Sequence, residues 1–386
     1  MNVFFVTSWF PSRVHPTNGN FIGRHARLMA RHHRVTVVAV EEDLQLAPGK
    51  LDVTRRTEDG YAVIHVYVGY GPQTPGPVKA ALRLRAYVVA MRAARKKFGR
   101  PDLLHGHVLL DGGMAAALYS GFWNLPFVLT EHSSAYHKAN ALSGFRGWLG
   151  RYACRNAVAI LPVSDHLGRS MRERNRLAGN YRTVSNVVDE KTYLPGQPSP
   201  TLPFRLLHVS NFDEAPKNIT GLLRGFSLLR QKTNVPVTLH LAGDGDLEIL
   251  TQMIDDLGVA GITCSGPHTE GEIAELMQDC HAFVLFSNYE NQPVVLLEAQ
   301  MCGRPCIATP VGGVPDIVLH GETGLLVPVG DAVALAGAFE KMRDEYTSFD
   351  PEVIRERALQ LYSEEAVLEA INSVYQLAVE DGAAYR

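Results

Sequence analysis

No stretch of this chain approaches the roughly 18 consecutive apolar residues that a membrane-spanning helix needs, so an ordinary transmembrane span is not expected. Cysteine is scarce. Five residues, Cys154, Cys264, Cys280, Cys302 and Cys306, are odd in number and form no C-x-x-C pair. That argues against a disulfide framework or a cysteine-rich zinc module and fits a reducing compartment. Cys302 and Cys306 flank the turn Gly303-Arg304-Pro305 and read as packing residues. No H-E-x-x-H or similar spacing joins the histidines, so no metal ligands are expected. The dinucleotide fingerprint G-x-G-x-x-G is missing after the first strand, which weakens any case for NAD. Met1-Asn2 leads straight into Val3-Phe4-Phe5-Val6 without the basic and apolar regions of a signal peptide. The expected location is cytoplasmic, extending at most to the inner face of the membrane.

What is present is a globular composition. Hydrophobic residues make up 46% and charged residues 20% of 386 positions, enough for a substantial core and a length comfortable for two domains. The net charge of −3 hides an asymmetry: 26 lysines and arginines face 13 acidic residues up to position 200, and 11 face 27 beyond it. A split of this kind points the basic half toward an anionic partner. Residues 78–100 concentrate it, with Lys79, Arg83, Arg85, Arg92, Arg95, Lys96, Lys97 and Arg100 among Ala, Leu and Val at helical spacing. Either this is an interfacial helix touching an anionic membrane surface, or a solvated helix packed on its own sheet. No nucleic-acid partner is expected.

Strand-like and helical runs alternate throughout, which predicts βα units and parallel sheets. In the first half, strands are expected at 3–7, 35–40, 62–68, 103–107, 127–130, 158–162 and 183–185. Helices are expected at 21–31, 78–97, 112–119, 145–155 and 165–174. Four prolines within 194–203 mark a linker. The rhythm restarts with strands at 204–209, 237–241, 262–264, 282–286, 306–308 and 324–327, and helices at 219–229, 332–346 and 364–379. The fold class is therefore α/β, with two doubly wound Rossmann-like domains, 1–193 and 204–365, facing across a cleft. A C-terminal helix at 366–386 is placed to pack back on the first domain.

Within that frame, Ser287-Asn288-Tyr289-Glu290-Asn291-Gln292-Pro293-Val294-Val295-Leu296-Leu297-Glu298 is the most informative segment. It follows an apolar strand, and Pro293 suits the first position of a helix. Glu290 then lies at the carboxyl end of a strand, where open α/β sheets bind ligands. The amides of Val294 and Val295 at a helix N-terminus attract phosphate. A carboxylate for hydroxyl donors beside amides for phosphate suits a sugar nucleotide. The loop 8–21 after the first strand ends in Asn18-Gly19-Asn20, where a glycine lets backbone approach a ligand. Thr130-Glu131-His132 ends another apolar strand, with His105 and His107 after Leu103-Leu104. Lys217 opens the second domain after Ser210-Asn211, where an ammonium could reach phosphates. Gly243-Asp244-Gly245 and Gly312-Gly313 are glycine-rich turns after strands.

In this order the pieces resemble the family 4 (group 1) retaining glycosyltransferases of the two-domain GT-B fold. The resemblance rests on Gly19, His132, Lys217, Gly243-Asp244-Gly245 and the E-x7-E pair Glu290 and Glu298. It continues through Glu298-Ala299, Gly303-Arg304-Pro305, Gly312-Gly313-Val314-Pro315 and Gly321-Glu322-Thr323-Gly324-Leu325-Leu326-Val327-Pro328. It spans nearly the whole chain and is densest from Gly243 to Pro328. The resemblance implies transfer of a hexose, with retention, from a UDP- or GDP-sugar to a glycan or lipid-linked acceptor, in making cell-surface polysaccharide or glycolipid. No cofactor and no required divalent metal are implied. Glu290, His132 and Lys217 would be catalytic, with Glu290 on donor-sugar hydroxyls, Lys217 on the leaving diphosphate and His132 near the reacting ring. Gly19, Asn20, Asn211, Asn291, Gln292, Pro293 and Val294 would complete the donor site, with Glu298 on the ribose. Three places depart from the family. Gly19-Asn20 replaces Gly-Gly, Asn211 stands where an arginine usually precedes the lysine by six positions, and Asn291-Gln292 replaces Gly-Phe after the first glutamate. Arg13 or Arg24 could supply the missing cation. A sugar-nucleotide epimerase of the same architecture and a non-catalytic sugar-nucleotide binder are the alternatives.

Overall fold

The computed structural model describes residues 1–196, 198, 203–233 and 235–384. The chain forms two units, Met1–Val187 with Val367–Arg386, and Val188–Ala366. The first crossing lies ahead of the proline-rich stretch. The reason is local: the Val188 amide donates to the Tyr362 carbonyl at 2.9 Å. Arg355 donates to the carbonyls of Tyr193 at 2.7 Å and Glu190 at 3.2 Å, which ties 188–193 into the second unit. Of the linker expected at 194–203, residues 197 and 199–202 lie outside the described residues.

The N-terminal unit is built on strands β1 (Asn2–Thr7), β2 (Arg34–Glu42), β3 (Leu51–Glu58), β4 (Tyr61–Val68), β5 (Leu103–His107), β6 (Phe127–Glu131) and β7 (Ala159–Pro162). Their order is β3-β4-β2-β1-β5-β6-β7, parallel except for the β3–β4 pair. Helices α1 (Asn20–Ala30), α2 (Gly76–Phe98), α3 (Met114–Trp123), α4 (Gly144–Asn156) and α5 (Asp165–Arg169) cover the sheet. Val3-Phe4-Phe5-Val6 is wholly buried, as a central parallel strand with both faces covered must be. The edge strand β3 was not expected because its sequence, Leu-Asp-Val-Thr-Arg-Arg-Thr-Glu, is mostly polar and only half-buried. No strand forms at 183–185. The segment runs beside β7, with the amides of Arg182 and Val184 donating to the carbonyls of Ile160 (2.9 Å) and Pro162 (3.1 Å). Pro162 has no N–H to return, so the ladder stops.

The second unit carries β8 (Phe204–Val209), β9 (Val237–Ala242), β10 (Ile262–Ser265), β11 (Ala282–Leu285), β12 (Cys306–Ala308) and β13 (Gly324–Leu326), all parallel, in the order β10-β9-β8-β11-β12-β13. Its helices are α6 (Glu214–Lys217), α7 (Ile219–Lys232), α8 (Leu247–Leu257), α9 (Glu270–Asp279), α10 (Val294–Met301), α11 (Val314–Ile317), α12 (Ala332–Asp344) and α13 (Pro351–Tyr362). Cys302 and Cys306 are fully buried in this core. Helix α14 (Glu364–Ala384) begins in this unit and returns the chain to the first, where Val367, Ile371, Val374, Tyr375 and Ala378 join the apolar cluster under β1. Among the described residues no helix is long and apolar enough to cross a membrane.

One buried carboxylate sets the loops at the end of the first sheet. Glu131 is fully buried at the end of β6. Its Oε1 accepts from the amides of His132 (2.8 Å) and Ser133 (2.7 Å), and its Oε2 from the amide of Leu109 (2.8 Å). The Leu109 bond holds a loop in which Val108 and Asp111 take positive φ of 62° and 66°. A β-branched residue in that region costs of order 1–3 kcal/mol, and Glu131 helps to offset it. Replacing it with glutamine turns one acceptor into an N–H facing a backbone N–H. Glu131→Gln should therefore lower stability by about 1–3 kcal/mol in urea unfolding. Burial, outweighing the three amide bonds, pushes the Glu131 carboxyl up to about 7. A carboxyl raised on folding contributes stability that is full below the unfolded carboxyl range and lost as pH rises through about 7. Wild-type stability should thus fall more steeply than that of Glu131→Gln between about pH 5 and pH 8; parallel profiles would show that this carboxyl does not titrate there.

Candidate active site

In the second sheet β8 lies between β9 and β11, so the winding direction reverses at β8 and the loops after β8 and β11 open on one crevice. The loop after β8 is held from beneath. His208, fully buried, donates from Nδ1 to the Val284 carbonyl at 2.9 Å and so accepts at Nε2 from the Ser210 hydroxyl at 2.7 Å. The Ser210 oxygen accepts in turn from the amide of Phe212 at 3.1 Å. Asn211 Oδ1 takes the Asp213 amide at 3.3 Å. Two left-handed residues, Phe212 and Asn218, then bring the chain through α6 and present Lys217. The Gly-Asp-Gly turn has a structural reason. A Cβ on Gly243 would stand 1.6 Å from the Ser210 carbonyl oxygen, and one on Gly245 2.3 Å from that of Asn211.

The loop after β11 meets it. Lys217 Nζ donates to Glu290 Oε1 at 2.5 Å, and the Ser287 hydroxyl donates to the same oxygen at 2.9 Å. Both charged side chains are largely buried, 19% and 10% exposed. Asn288 fastens one loop to the other, its amide donating to the Pro216 carbonyl at 2.7 Å and its Nδ2 to that of Ala215 at 3.0 Å. Thr309 donates to the Ser287 carbonyl at 2.5 Å and the Gly313 amide to the Asn291 carbonyl at 2.7 Å. Gly312 is left-handed (φ 57°), and a Cβ there would lie 1.8 Å from the Glu290 carbonyl oxygen. Pro293 is the N-cap of α10, one position ahead of where the sequence placed it. No side chain caps that helix, and the amides of Val294 and Val295 have no acceptor within it. Glu298 follows Val294 by four positions on the same helix face and is 4% exposed. Asn291 and Gln292 lie in the connecting loop. The second unit thus brings Asn211, Lys217, Glu290, Asn291, Gln292, Pro293, Val294 and Glu298 to one sheet end.

Ser287, Asn288, Thr309 and Gly312 support Glu290 and were not picked out as site residues from the sequence. Gly312 left a signal there as part of a glycine pair after a strand, and Ser287 and Asn288 only as members of the segment that carries Glu290. The other three are ordinary polar residues: Asn288 and Thr309 find their partners in other loops, and Ser287 in Glu290 three positions on.

In the first unit Gly19 caps α1 in the left-handed region (φ 72°), and a Cβ there would come 2.6 Å from the Trp9 carbonyl oxygen. Helix α1 has no side-chain cap and no acidic residue in its first turn, so the amides beginning with Asn20 resemble those of α10. Phe21 lies tilted against His132, 4.4 Å between ring centroids, which places His132 near the start of α1. His132 Nε2 faces His107 Nδ1 at 3.5 Å. His105 is stacked on His107 and bonded to Tyr375 and Thr130, both at 2.7 Å. Burial pushes His25 down to about 4 and His105 to about 3, and holds His107 and His132 well below the usual histidine range, with neighbouring histidines adding repulsion at His105, His107 and His132. His132 is therefore a neutral imidazole at physiological pH. Ring nitrogens of His25, His107 and His132 lie within 4.8 Å of one another, a set able to hold a metal ion. Three separate elements contribute it, which is why spacing along the chain gave no sign of it. In the second unit the carboxylates of Asp189, Glu190 and Glu364 form a similar set.

Arg13 is already committed. It pairs with Asp43 at 2.8 Å and Asp52 at 2.6 Å and stacks over Tyr67 at 3.9 Å, and these carboxylates hold its guanidinium above its ordinary range. Its charge is spent within its own unit.

Two family profiles match the chain. "Glycosyl transferase 4-like domain" matches residues 20–187, and "Glycosyl transferases group 1" matches residues 203–345. Among similar proteins is the N-acetyl-alpha-D-glucosaminyl L-malate synthase of Bacillus anthracis, 28% identical over 294 residues, covering 72% of this chain and 76% of the relative. Among solved structures, sucrose-phosphate synthase from Thermosynechococcus elongatus superposes with a TM-score of 0.77 at 21% identity, over 97% of this chain and 98% of that one. Anabaena Alr3699/HepE in complex with UDP-glucose gives 0.68 at 18% identity, over 97% and 98%. The matched profiles and the two doubly wound sheets agree, and the chain belongs to the group 1 glycosyltransferases of GT-B fold.

Proposed function

We propose that this glycosyltransferase moves a hexose from a UDP- or GDP-sugar, with retention, to a glycan or lipid-linked acceptor at a membrane face, in the making of cell-surface polysaccharide or glycolipid. The observation that carries the reading is the Lys217–Glu290 pair beside the uncapped start of α10. It sets a cation and free amides next to a carboxylate at the ligand-binding end of a parallel sheet. The HepE structure with UDP-glucose, similar in fold, supports the donor class.

In this reading Lys217 and the amides of Val294 and Val295 take the diphosphate, and Asn211 adds a hydrogen-bond donor where the family usually has a cation. Diphosphate binding draws Lys217 partly away from Glu290. Ser287 keeps the carboxylate placed while it accepts from donor-sugar hydroxyls. Glu298 accepts from the ribose hydroxyls, and Asn291 and Gln292 contact the donor. Gly19 and Asn20 offer amides to the diphosphate. His132, being neutral, serves as a hydrogen-bond partner of the donor sugar rather than as a cation. As the bond from the sugar to the diphosphate breaks, the new bond forms to the acceptor oxygen, and the acceptor proton leaves with the nucleoside diphosphate. Fixed donors that meet charge where it develops do not need to reorganise. That electrostatic role is the one a divalent metal would otherwise fill, so no metal is required.

Glu290→Gln and Lys217→Ala should each lower the rate of nucleoside diphosphate release in the presence of acceptor by about 100-fold or more, with thermal unfolding showing a folded protein. Full activity in Glu290→Gln would remove the assignment of that residue. Transfer should persist in excess EDTA after exhaustive dialysis; a strict requirement for an added divalent ion would overturn the metal-free mechanism and direct attention to the His25–His107–His132 set.

A further inference from the structure

Helices α2, α3 and α4 carry no aspartate or glutamate, yet hold ten basic residues: Lys79, Arg83, Arg85, Arg92, Arg95, Lys96, Lys97, Arg146, Arg151 and Arg155. Among the described residues, three of them meet a carboxylate from elsewhere: Lys79 pairs with Glu42 at 3.7 Å, and Arg83 and Arg146 both pair with Asp111. Between α2 and α3 lies an open groove of about 380 Å³, walled by Leu84, Val88, Leu118 and Phe122, with Arg92 and Arg95 also lining it. The Arg95 guanidinium sits over the Trp123 ring at 5.4 Å. Helix α4 packs on α3 and continues the surface with a ladder of Phe145, Trp148 and Tyr152, the rings 5.7 and 6.0 Å apart. Phe122 is 81% exposed, Phe145 73% and Trp148 55%.

Scattered exposed apolar residues are ordinary, but large aromatics gathered on adjacent helices beside an apolar groove mark an interaction face. The chemistry of this face selects its partner. Aromatic rings with a polar edge favour the boundary between lipid head groups and acyl chains. Arginines and lysines without acidic neighbours on their own helices are complementary to an anionic leaflet. We propose that the α2–α3–α4 face docks the protein on an anionic phospholipid bilayer. Phe122, Phe145 and Trp148 enter the interface, and the groove receives the first acyl segment of a phospholipid whose phosphate rests on Arg92 and Arg95. This deepens the proposal of a membrane-borne acceptor and rests on it for its purpose, since docking brings the enzyme to the plane in which that acceptor lies. The docking itself stands on the face alone.

The test is sedimentation of the full chain with vesicles. Binding is expected to vesicles containing phosphatidylglycerol and not to pure phosphatidylcholine, and to weaken from 0.1 M to 1 M salt as the screening length shrinks from about 10 to about 3 Å. Arg92→Gln/Arg95→Gln should reduce partitioning by about thirtyfold, from the attraction each basic side chain contributes near an anionic leaflet. Phe122→Ser/Trp148→Ser should reduce it comparably, and brominated lipid should quench Trp148 fluorescence in the wild type. All four residues are at least partly exposed and outside the donor site, so donor binding and transfer to a water-soluble acceptor should be unchanged in both variants. Absence of binding to phosphatidylglycerol vesicles, or equal binding by the variants, would overturn the docking face while leaving the transferase reading intact. Concentration-dependent self-association abolished by Phe122→Ser/Trp148→Ser, without lipid binding, would overturn it in favour of a second copy of the chain.

Discussion

The contact between Lys217 and Glu290, 73 residues apart in sequence and 2.5 Å apart in space, depends on one topological constraint. A parallel sheet covered on both faces sends every loop at its carboxyl end into the same region, and the reversal of winding at β8 sets two such loops side by side. The rest of the second unit's site serves that meeting. His208 and Ser210 fix one loop, Asn288 ties it to the other, and Gly243, Gly245 and Gly312 are small because backbone from the opposing loops passes where a Cβ would be. A buried charge without its partner costs several kcal/mol. The pair therefore keeps the crevice stable while leaving each charge with a reason to accept a ligand that replaces the other.

The first unit solves a different problem. Its candidate residues gather with almost no charge: four buried histidines held neutral, a phenylalanine tilted against one of them, and an uncapped helix start. The buried carboxyl of Glu131 is occupied by three backbone amides and acts on the backbone. It positions His132 through its own amide and steadies the strained turn at Val108–Asp111, so placement of the histidine depends on a residue adjacent in sequence whose side chain points into the protein.

Much of the fold was legible because parallel strands buried on both faces leave unbroken apolar runs such as Val3-Phe4-Phe5-Val6. The polar edge strand β3 left no such run, and the segment at 183–185 failed as a strand for want of one N–H on Pro162. The candidate residues were legible where chemistry and fold coincide: in the second unit Glu290 and Lys217, which the fold brings together, and in the first Gly19, which caps α1. It was illegible where support comes from loop-to-loop contact. Asn288 is an unremarkable residue until the carbonyls of Ala215 and Pro216 are brought to it. Likewise, the clustering of His25, His107 and His132 is a product of tertiary structure, since α1, β5 and the end of β6 meet only in the folded sheet.

The charge asymmetry of the chain takes on a more specific meaning from where its parts lie. Of the basic residues in the first half, Arg13 is paired with Asp43 and Asp52, and the imidazoles about His132 are uncharged. On α2 and α4, seven basic residues, Arg85, Arg92, Arg95, Lys96, Lys97, Arg151 and Arg155, pair with no carboxylate among the described residues. Beyond residue 200, acidic residues outnumber basic ones by 27 to 11, and a field of that sign repels a diphosphate at long range. Salt confines that repulsion to about 10 Å at 0.1 M. In the proposed reading an anion is then held there by groups in contact with it, and in this unit those groups are Lys217, Asn211 and the first amides of α10. The proposed donor site therefore works by short-range geometry, because the charge of its own unit works against it.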